Sequence, residues 1–331
     1  MKIRRIQIES LRAIDRLDLD LAPAEGAPLD IAVLAGPNGC GKTSVLEACL
    51  WALRQDSAVP RPIPDQPFRI RLVVEHEGET YEIERTPNSH SVVVRGSERL
   101  AVPKKGLPDW LRVRAIYFSS WRSPRLIGSI GLSTAGGKRT PRAQGDALAR
   151  LKQYLMDLQA ASAFGGHRQP DLPSADALFG QIADLWNALY PGRGGRFEGV
   201  VADGPGPRRV SGSETGQGNG APRYDLVLED RERPYGIGMN DLSSGEIEVL
   251  SMIGSFVMDR TGFDLVLVDE PELHLHPAWH RAIMRVLRRA APGAQILCAT
   301  HSEHILDAVY SHQRFTLLRE SDPRVRLVSH G

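Results

Sequence analysis

The sequence predicts an α/β fold with a mixed central sheet, an antiparallel β lobe and a helical lobe. Three observations carry that expectation. First, IAVLAG (31–36), LVLVD within DLVLVDEPE (264–272) and QILCAT (295–300) are short, almost wholly apolar runs. Such runs belong to strands buried on both faces, as in a parallel sheet. Second, residues 2–8, 15–21 and 68–94 alternate apolar and polar side chains, the pattern of half-buried strands. Third, residues 143–163, 175–190 and 278–290 place their apolar residues at helical spacing.

The elements follow in order. KIRRIQI and its partner at 15–21 open the chain as two strands, and IAVLAG leads through a Gly-rich turn into a helix, TSVLEACLWAL. FRIRLVVEHEGETYEIERTPNSHSVVV reads as antiparallel strands around a Gly turn, and AIYFS (115–119) as one more short strand. In the first long helix Leu148, Leu151, Leu155 and Leu158 share a face. Gly, Pro and Ser dominate 191–222, so 203–222 is expected to be a mobile loop, preceded by a short strand at Phe197–Val201. YDLVLED is a strand, LSSGE opens a helix, and FTLLRE with RVRLVSH forms a final strand pair. No internal repeat is present.

Composition narrows the classes. A chain of 331 residues with 41% hydrophobic and 24% charged residues has the balance of a soluble globular protein. A net charge of +1 argues against holding nucleic acid through bulk charge alone. Cys40, Cys49 and Cys298 are too few and too scattered for a disulfide framework or a Cys-rich zinc site, and they suit a reducing compartment. With no signal-peptide core and no apolar stretch of membrane-spanning length, the expectation is a cytoplasmic protein without membrane contact.

The chemistry concentrates in four short blocks. GPNGCGKT, Gly36–Thr43, matches G-x-x-x-x-G-K-[ST] between a strand and a helix. In such a P-loop the glycines let the backbone N–H groups of Gly36, Asn38, Gly39, Cys40, Gly41 and the residues that follow to Ser44 curl around phosphate oxygens, while Pro37, which has no N–H, contributes only its fixed backbone. Lys42 supplies charge to the β and γ phosphates, and Thr43 offers a hydroxyl to Mg²⁺. DLVLVDEPE delivers Asp269 and Glu270 at a strand end, where α/β sheets bind ligands. Asp269 is then the candidate metal residue, and Glu270 the candidate base that orients or deprotonates a water. QILCATHSEHIL brings His301 to another strand end, within reach of a γ-phosphate. LSSGE, 242–246, is a capping box whose helix N-terminus is also suited to phosphate. His274, His276, His280 and His304 match no zinc spacing.

In that order the four blocks resemble the Walker A, signature, Walker B and switch-histidine elements of an ABC-type ATPase head. The resemblance implies ATP and Mg²⁺ as ligands. It further implies that Ser243, Ser244 and Gly245 complete the nucleotide site of a second copy in a twofold, head-to-tail homodimer. KIRRIQIESLRAIDRLDLDL and DEPELHLHP resemble the SMC, RecF and OLD branch, which adds Arg12 as a residue approaching the nucleotide. In that scheme one ATPase domain fills 1–331, with lobe I at about 1–120 and 262–331 and a helical lobe at about 121–261. The sequence departs from the family where a glutamine is usual: FSSWRSPR leaves Ser119 or Ser120 for that role. It also carries no coiled-coil array and no appended nuclease module. The resemblance therefore implies a slowly hydrolysing ATP switch that controls a separate effector, nuclease or toxin, or clamps nucleic acid, in anti-phage defence or DNA repair. The alternative is the nucleotide-binding subunit of an ABC transporter. Candidate nucleic-acid contacts are Lys104, Lys105, Arg112, Arg114, Lys138, Arg139 and Arg142, although a solvated face is the ordinary reading of each.

Overall fold

The computed structural model describes residues 1–22, 26–60, 63–94, 99–101, 107–122, 130–131, 147–163, 174–191, 196–203, 223–229, 237–238, 241–259 and 261–318. The expected loop at 203–222 lies outside them beyond Asp203, as do Lys104, Lys105, Lys138, Arg139, Arg142 and the RVRLVSH strand. The chain divides into two units. The first holds Met1–Trp121, Thr261–Leu273 and Ala291–Gly331, and the second holds Arg122–Arg260 and His274–Ala290.

The first unit begins with β1 (Lys2–Leu11), β2 (Ile14–Asp20), β3 (Ile31–Ala35) and helix α1 (Lys42–Ala52). It continues with β4 (Arg69–His76), β5 (Glu79–Arg85), β6 (His90–Val94), β7 (Arg99–Ala101) and β8 (Ala115–Phe118). Six of these strands form an antiparallel sheet in the order β2-β1-β4-β5-β6-β7. In β1 the residues Ile3, Ile6 and Ile8 are all buried although Ile3 and Ile6 are an odd number of residues apart. A register shift between Ile3 and Arg5 absorbs the extra residue, as a β-bulge does.

The second unit runs through β9 (Ile130–Gly131), α2 (Ala147–Ala163), α3 (Ala175–Leu189), β10 (Arg196–Asp203), β11 (Arg223–Glu229), β12 (Ile237–Gly238) and α4 (Ser244–Met258). The chain then returns to the first unit as β13 (Leu265–Asp269), gives α5 (Pro277–Ala290) to the second, and ends in the first with β14 (Gln295–Thr300), α6 (Glu303–Asp307) and β15 (Arg314–Thr316). The second sheet of the first unit, β15-β3-β14-β13-β8, is parallel at every pair. Parallel and antiparallel strands are thus sorted into separate sheets. Helix α1 is apolar nearly all round, with Ser44 to Ala52 buried, because it packs into the core formed with residues of β1, β4, β13 and β14.

In the second unit Leu148, Leu151 and Leu155 are buried on α2. A Cβ on Gly254 of α4 would fall 2.6 Å from Leu151 Cδ2, so that glycine allows the close approach of the two helices. The α5 segment, expected in the first lobe, groups with the second unit. Its apolar residues Ile283, Met284, Val286 and Leu287 are buried, and the helix packs on α3 and α4.

Candidate nucleotide site

Parallel pairing decides where the chemistry goes. Thr300 pairs with Ala35, Asp269 with Ala299 and Val268 with Phe118, so β3, β14, β13 and β8 end together at one edge. The P-loop, His301, the Asp269–Glu270 pair and Ser119–Ser120 all leave the sheet there.

The P-loop is held by its glycines. Gly36, Gly39 and Gly41 have φ of 150°, 74° and 102°. A Cβ on Gly36 would lie 2.3 Å from the Leu317 carbonyl oxygen, and one on Gly41 2.6 Å from Ile14 Cγ1. Neither position tolerates a side chain. Asn38 is exposed, and Cys40 and Ser44 are buried beneath the loop. Lys42 is buried and donates to the Gly36 oxygen at 2.9 Å and the Pro37 oxygen at 3.1 Å. Its ammonium therefore sits on the loop's own carbonyls, which a phosphate would replace.

Two hydroxyls converge on one carboxylate. Thr43 Oγ1 donates to the Asp269 oxygens at 3.1 and 3.0 Å, and Ser120 Oγ donates to Asp269 Oδ2 at 2.7 Å. Ser119 is turned away, its Oγ accepting from the Trp121 amide at 3.0 Å. Ser120 is thus the serine with a hydrogen bond to the aspartate among the described contacts. Hydroxyl and carboxylate oxygens are hard donors of the kind Mg²⁺ takes, so the residues present fit that ion. Among the described residues no group of three or more His, Cys, Asp or Glu could hold a metal.

Glu270 sits at φ 51°, a left-handed conformation that costs a non-glycine residue about 1–2 kcal/mol. Its amide donates to the Ala299 oxygen at 2.8 Å, and the Leu273 amide donates back to its carbonyl at 3.0 Å. The resulting turn puts Glu270 Oε1 3.8 Å from His301 Nε2, with both side chains about one-third exposed. Glu272, which sequence reasoning left without a role, binds the other side of this pair. Its Oε1 accepts from Thr300 Oγ1 at 2.7 Å and from the His301 amide at 2.6 Å.

The sequence profile described as "AAA domain, putative AbiEii toxin, Type IV TA system" matches residues 140–307, just over half of the chain. The chain belongs to this AAA-domain family. A second AAA-domain profile matches residues 5–101 of the same domain. A probable ATPase of retron Vc95 from Vibrio cholerae serotype O1 biovar El Tor is 32% identical over 104 residues, covering 28% of this chain and 20% of that protein. The Septu protein PtuA of Bacillus thuringiensis is 36% identical over 72 residues, 22% of this chain and 18% of that protein. The matched stretch is thus about a fifth of each relative's length. In fold, the AAA domain is similar to the SMC head domain from Thermotoga maritima, with TM-score 0.51 at 14% identity, covering 93% of this chain and 92% of that one. It is equally similar to an SMC head bound to the C-terminal winged-helix domain of ScpA, with TM-score 0.53 at 11% identity, covering 99% and 100%. The AAA domain therefore has an SMC-head-like fold, and no helix among its described residues is long and apolar enough to cross a membrane.

The remaining residues of the AAA domain lie elsewhere. In the second unit Ser243 caps α4: its Oγ accepts from the Glu246 amide at 3.3 Å, and Glu246 Oε2 accepts from the Ser243 amide at 2.7 Å. Ser243 and Ser244 are exposed, whereas Gly245 is buried with the His274 carbonyl 2.3 Å from where its Cβ would be. One turn on, buried Glu248 pairs with Arg122, and its carboxyl is pushed up by burial against the downward pull of that cation. Arg12 points at α1: its guanidinium pairs with fully buried Glu47 and lies 4.9 Å over the Trp51 ring. Sequence spacing carries no sign of these partners.

Proposed function

We propose that this AAA domain is an ATP-dependent dimeric switch that works in the cytoplasm and controls a separate effector in anti-phage defence. The observation that carries the reading is the convergence of Thr43 and Ser120 on Asp269, with Glu270 and His301 3.8 Å apart on the same sheet edge. Lys42 leaves the Gly36 and Pro37 carbonyls to meet the β and γ phosphates of ATP. Thr43 and Asp269, with Ser120, would hold Mg²⁺, which supplies charge neutralisation at the phosphates. Glu270 accepts the proton of the attacking water, and His301 donates to the γ-phosphate. The exposed Ser243 and Ser244, with the N–H groups of the α4 N-terminus, offer phosphate donors for the nucleotide of a second copy. Cys40, Cys49 and Cys298, buried and outside any disulfide, suit a reducing compartment.

The test is Glu270→Gln, which is nearly isosteric yet cannot take the proton. With Mg-ATP the variant should lose phosphate release by about a hundredfold or more, on the scale of a lost general base. It should also elute as a stable dimer by light scattering after gel filtration. A variant that hydrolyses ATP like wild type removes Glu270 from the base role. A variant that traps ATP but remains monomeric removes the switch.

A further inference from the structure

His274 stands at the first turn of α4, in the second unit. Its backbone takes φ 64°, the left-handed region, which is costly for a residue other than glycine. Its carbonyl oxygen lies 2.3 Å from where a Cβ on Gly245 would be, so the missing side chain at 245 is what lets residue 274 settle there. The imidazole is exposed, as are Ser243 and Ser244 on the same turn. Behind it is a buried carboxylate. Glu248 Oε1 is taken by Arg122, whereas Glu248 Oε2 is buried without a hydrogen bond among the described residues. His274 Nε2 is 3.9 Å from that oxygen, close enough for an ion pair and too far for a hydrogen bond. Burial pushes the Glu248 carboxyl up, and Arg122 and then His274 draw it back down. The neighbouring Glu246 has its Oε2 on the Ser243 amide, which leaves Glu248 as the carboxylate facing the imidazole.

A buried acceptor left unbonded is costly, so the pair is incomplete as it stands. It is completed when the imidazole carries a proton on both nitrogens. Nε2–H then turns to Glu248, and Nδ1–H is left as a charged donor for a ligand. A cation beside a helix N-terminus is the reverse of what the dipole favours, and an anion bound there removes the conflict. We propose that His274 is a phosphate-binding residue of the α4 surface, its imidazolium held by Glu248 and donating to the γ-phosphate of the ATP bound by a second copy. This rests on the dimeric switch proposed above and gives that surface its charged donor. Ser243, Ser244 and the α4 amides offer neutral donors, and a charge-assisted bond to phosphate is roughly twice as strong as a neutral one. His301 serves the nucleotide of its own copy, so the two histidines act on different nucleotides.

The experiment uses the full chain carrying Glu270→Gln, which is expected to hold its ATP. Light scattering over a dilution series with Mg-ATP gives the dimer dissociation constant. Adding His274→Asn keeps a residue suited to left-handed backbone but removes the cation. It should raise that constant about tenfold or more, the scale of one charge-assisted hydrogen bond. His274→Gly, which takes φ 64° without strain, should do the same and melt no lower than its parent. His274→Arg restores a cationic donor and should recover most of the affinity. In the Ser243→Arg protein, expected to stay monomeric, His274→Asn should leave the ATP affinity measured by calorimetry unchanged, because the contact is made to the other copy. The proposal is overturned if both the His274→Asn and the His274→Gly proteins dimerise as tightly as the parent, or if His274→Arg is as weak as His274→Asn. It is equally overturned if His274→Asn weakens ATP binding in the monomeric protein, or if His274→Gly fails to fold, which would make the imidazole a structural group. A parent Glu270→Gln protein that stays monomeric with Mg-ATP removes the dimeric switch and this contact with it, a result distinct from a dimer indifferent to His274.

Discussion

At the residue scale, one carboxylate organises the sheet edge. Glu272 ties the turn that carries Glu270 to the strand end that carries His301, accepting from Thr300 Oγ1 and the His301 amide through a single oxygen. It touches neither reacting atom in this arrangement and acts by position. Glu272→Ala should lower kcat for ATP by about tenfold to a hundredfold, the cost of a small misplacement at a reacting centre, with the KM for ATP little changed. Glu272→Gln keeps a carbonyl acceptor for both donors and should restore most of the loss. Steady-state kinetics of the two variants decide the matter: equal rates for Ala and wild type would show a carboxylate that only fills space, and equal damage from Gln and Ala would point to its charge.

At the element scale, α1 illustrates how a buried helix must satisfy its last carbonyls. Its C-terminal end is closed by side chains from the antiparallel sheet: Arg85 donates to the Trp51 oxygen, and His90 Nε2 meets the Ala52 oxygen at 2.8 Å. Arg85 is in turn paired with Asp56 at 2.8 Å. Burial, together with the cations of Arg54 and Arg85, holds the His90 imidazole down to about 4. A histidine with a lowered folded value favours the folded state most when neutral. Its contribution is complete above the unfolded value near 6.5 and is lost as the pH falls toward 4, with a slope of at most about 1.4 kcal/mol per pH unit. Urea midpoints measured from pH 7 to pH 4.5 should fall more steeply for wild type than for His90→Gln, which retains a donor for Ala52 but does not titrate. Parallel curves would mean that His90 is no better buried than a surface histidine.

At the scale of the whole molecule, the exposed α4 N-terminus and the sheet edge are expected to meet across two copies. Ser243→Arg tests that closure. Each copy keeps its own P-loop, so ATP binding should remain, while the bulky cation should keep the protein monomeric with Mg-ATP by light scattering. Loss of the cap should also cost about 1 kcal/mol of stability, visible as a lower melting temperature. Combined with Glu270→Gln, the steric block should prevail, because trapped nucleotide holds the dimer only if the signature surface can approach it. A Ser243→Arg protein that dimerises on ATP like wild type would leave LSSGE as a helix cap alone.

What the sequence determined by itself is what depends on neighbouring residues. The P-loop is legible because Gly36, Gly39 and Gly41 must adopt φ values that side chains resist, next to a lysine and a threonine in a fixed order. The LSSGE cap is legible because Ser243 and Glu246 bond each other within one turn. Apolar runs identified the parallel strands, and alternation identified the antiparallel ones, because burial on two faces or one leaves different periods. Tertiary structure decided what depends on strand order and packing. Ser120 was preferred to Ser119 through a bond spanning 149 residues, which exists because β8 is laid beside β13. Glu272 found His301 across 29 residues because β14 lies beside β13 on the other side. Arg12 turned to Glu47, 35 residues away, because a carboxylate buried in α1 is costly without a cation. No local pattern encodes such partners: a side chain carries its charge and shape in the sequence, but its neighbours are chosen by which strands and helices share a core.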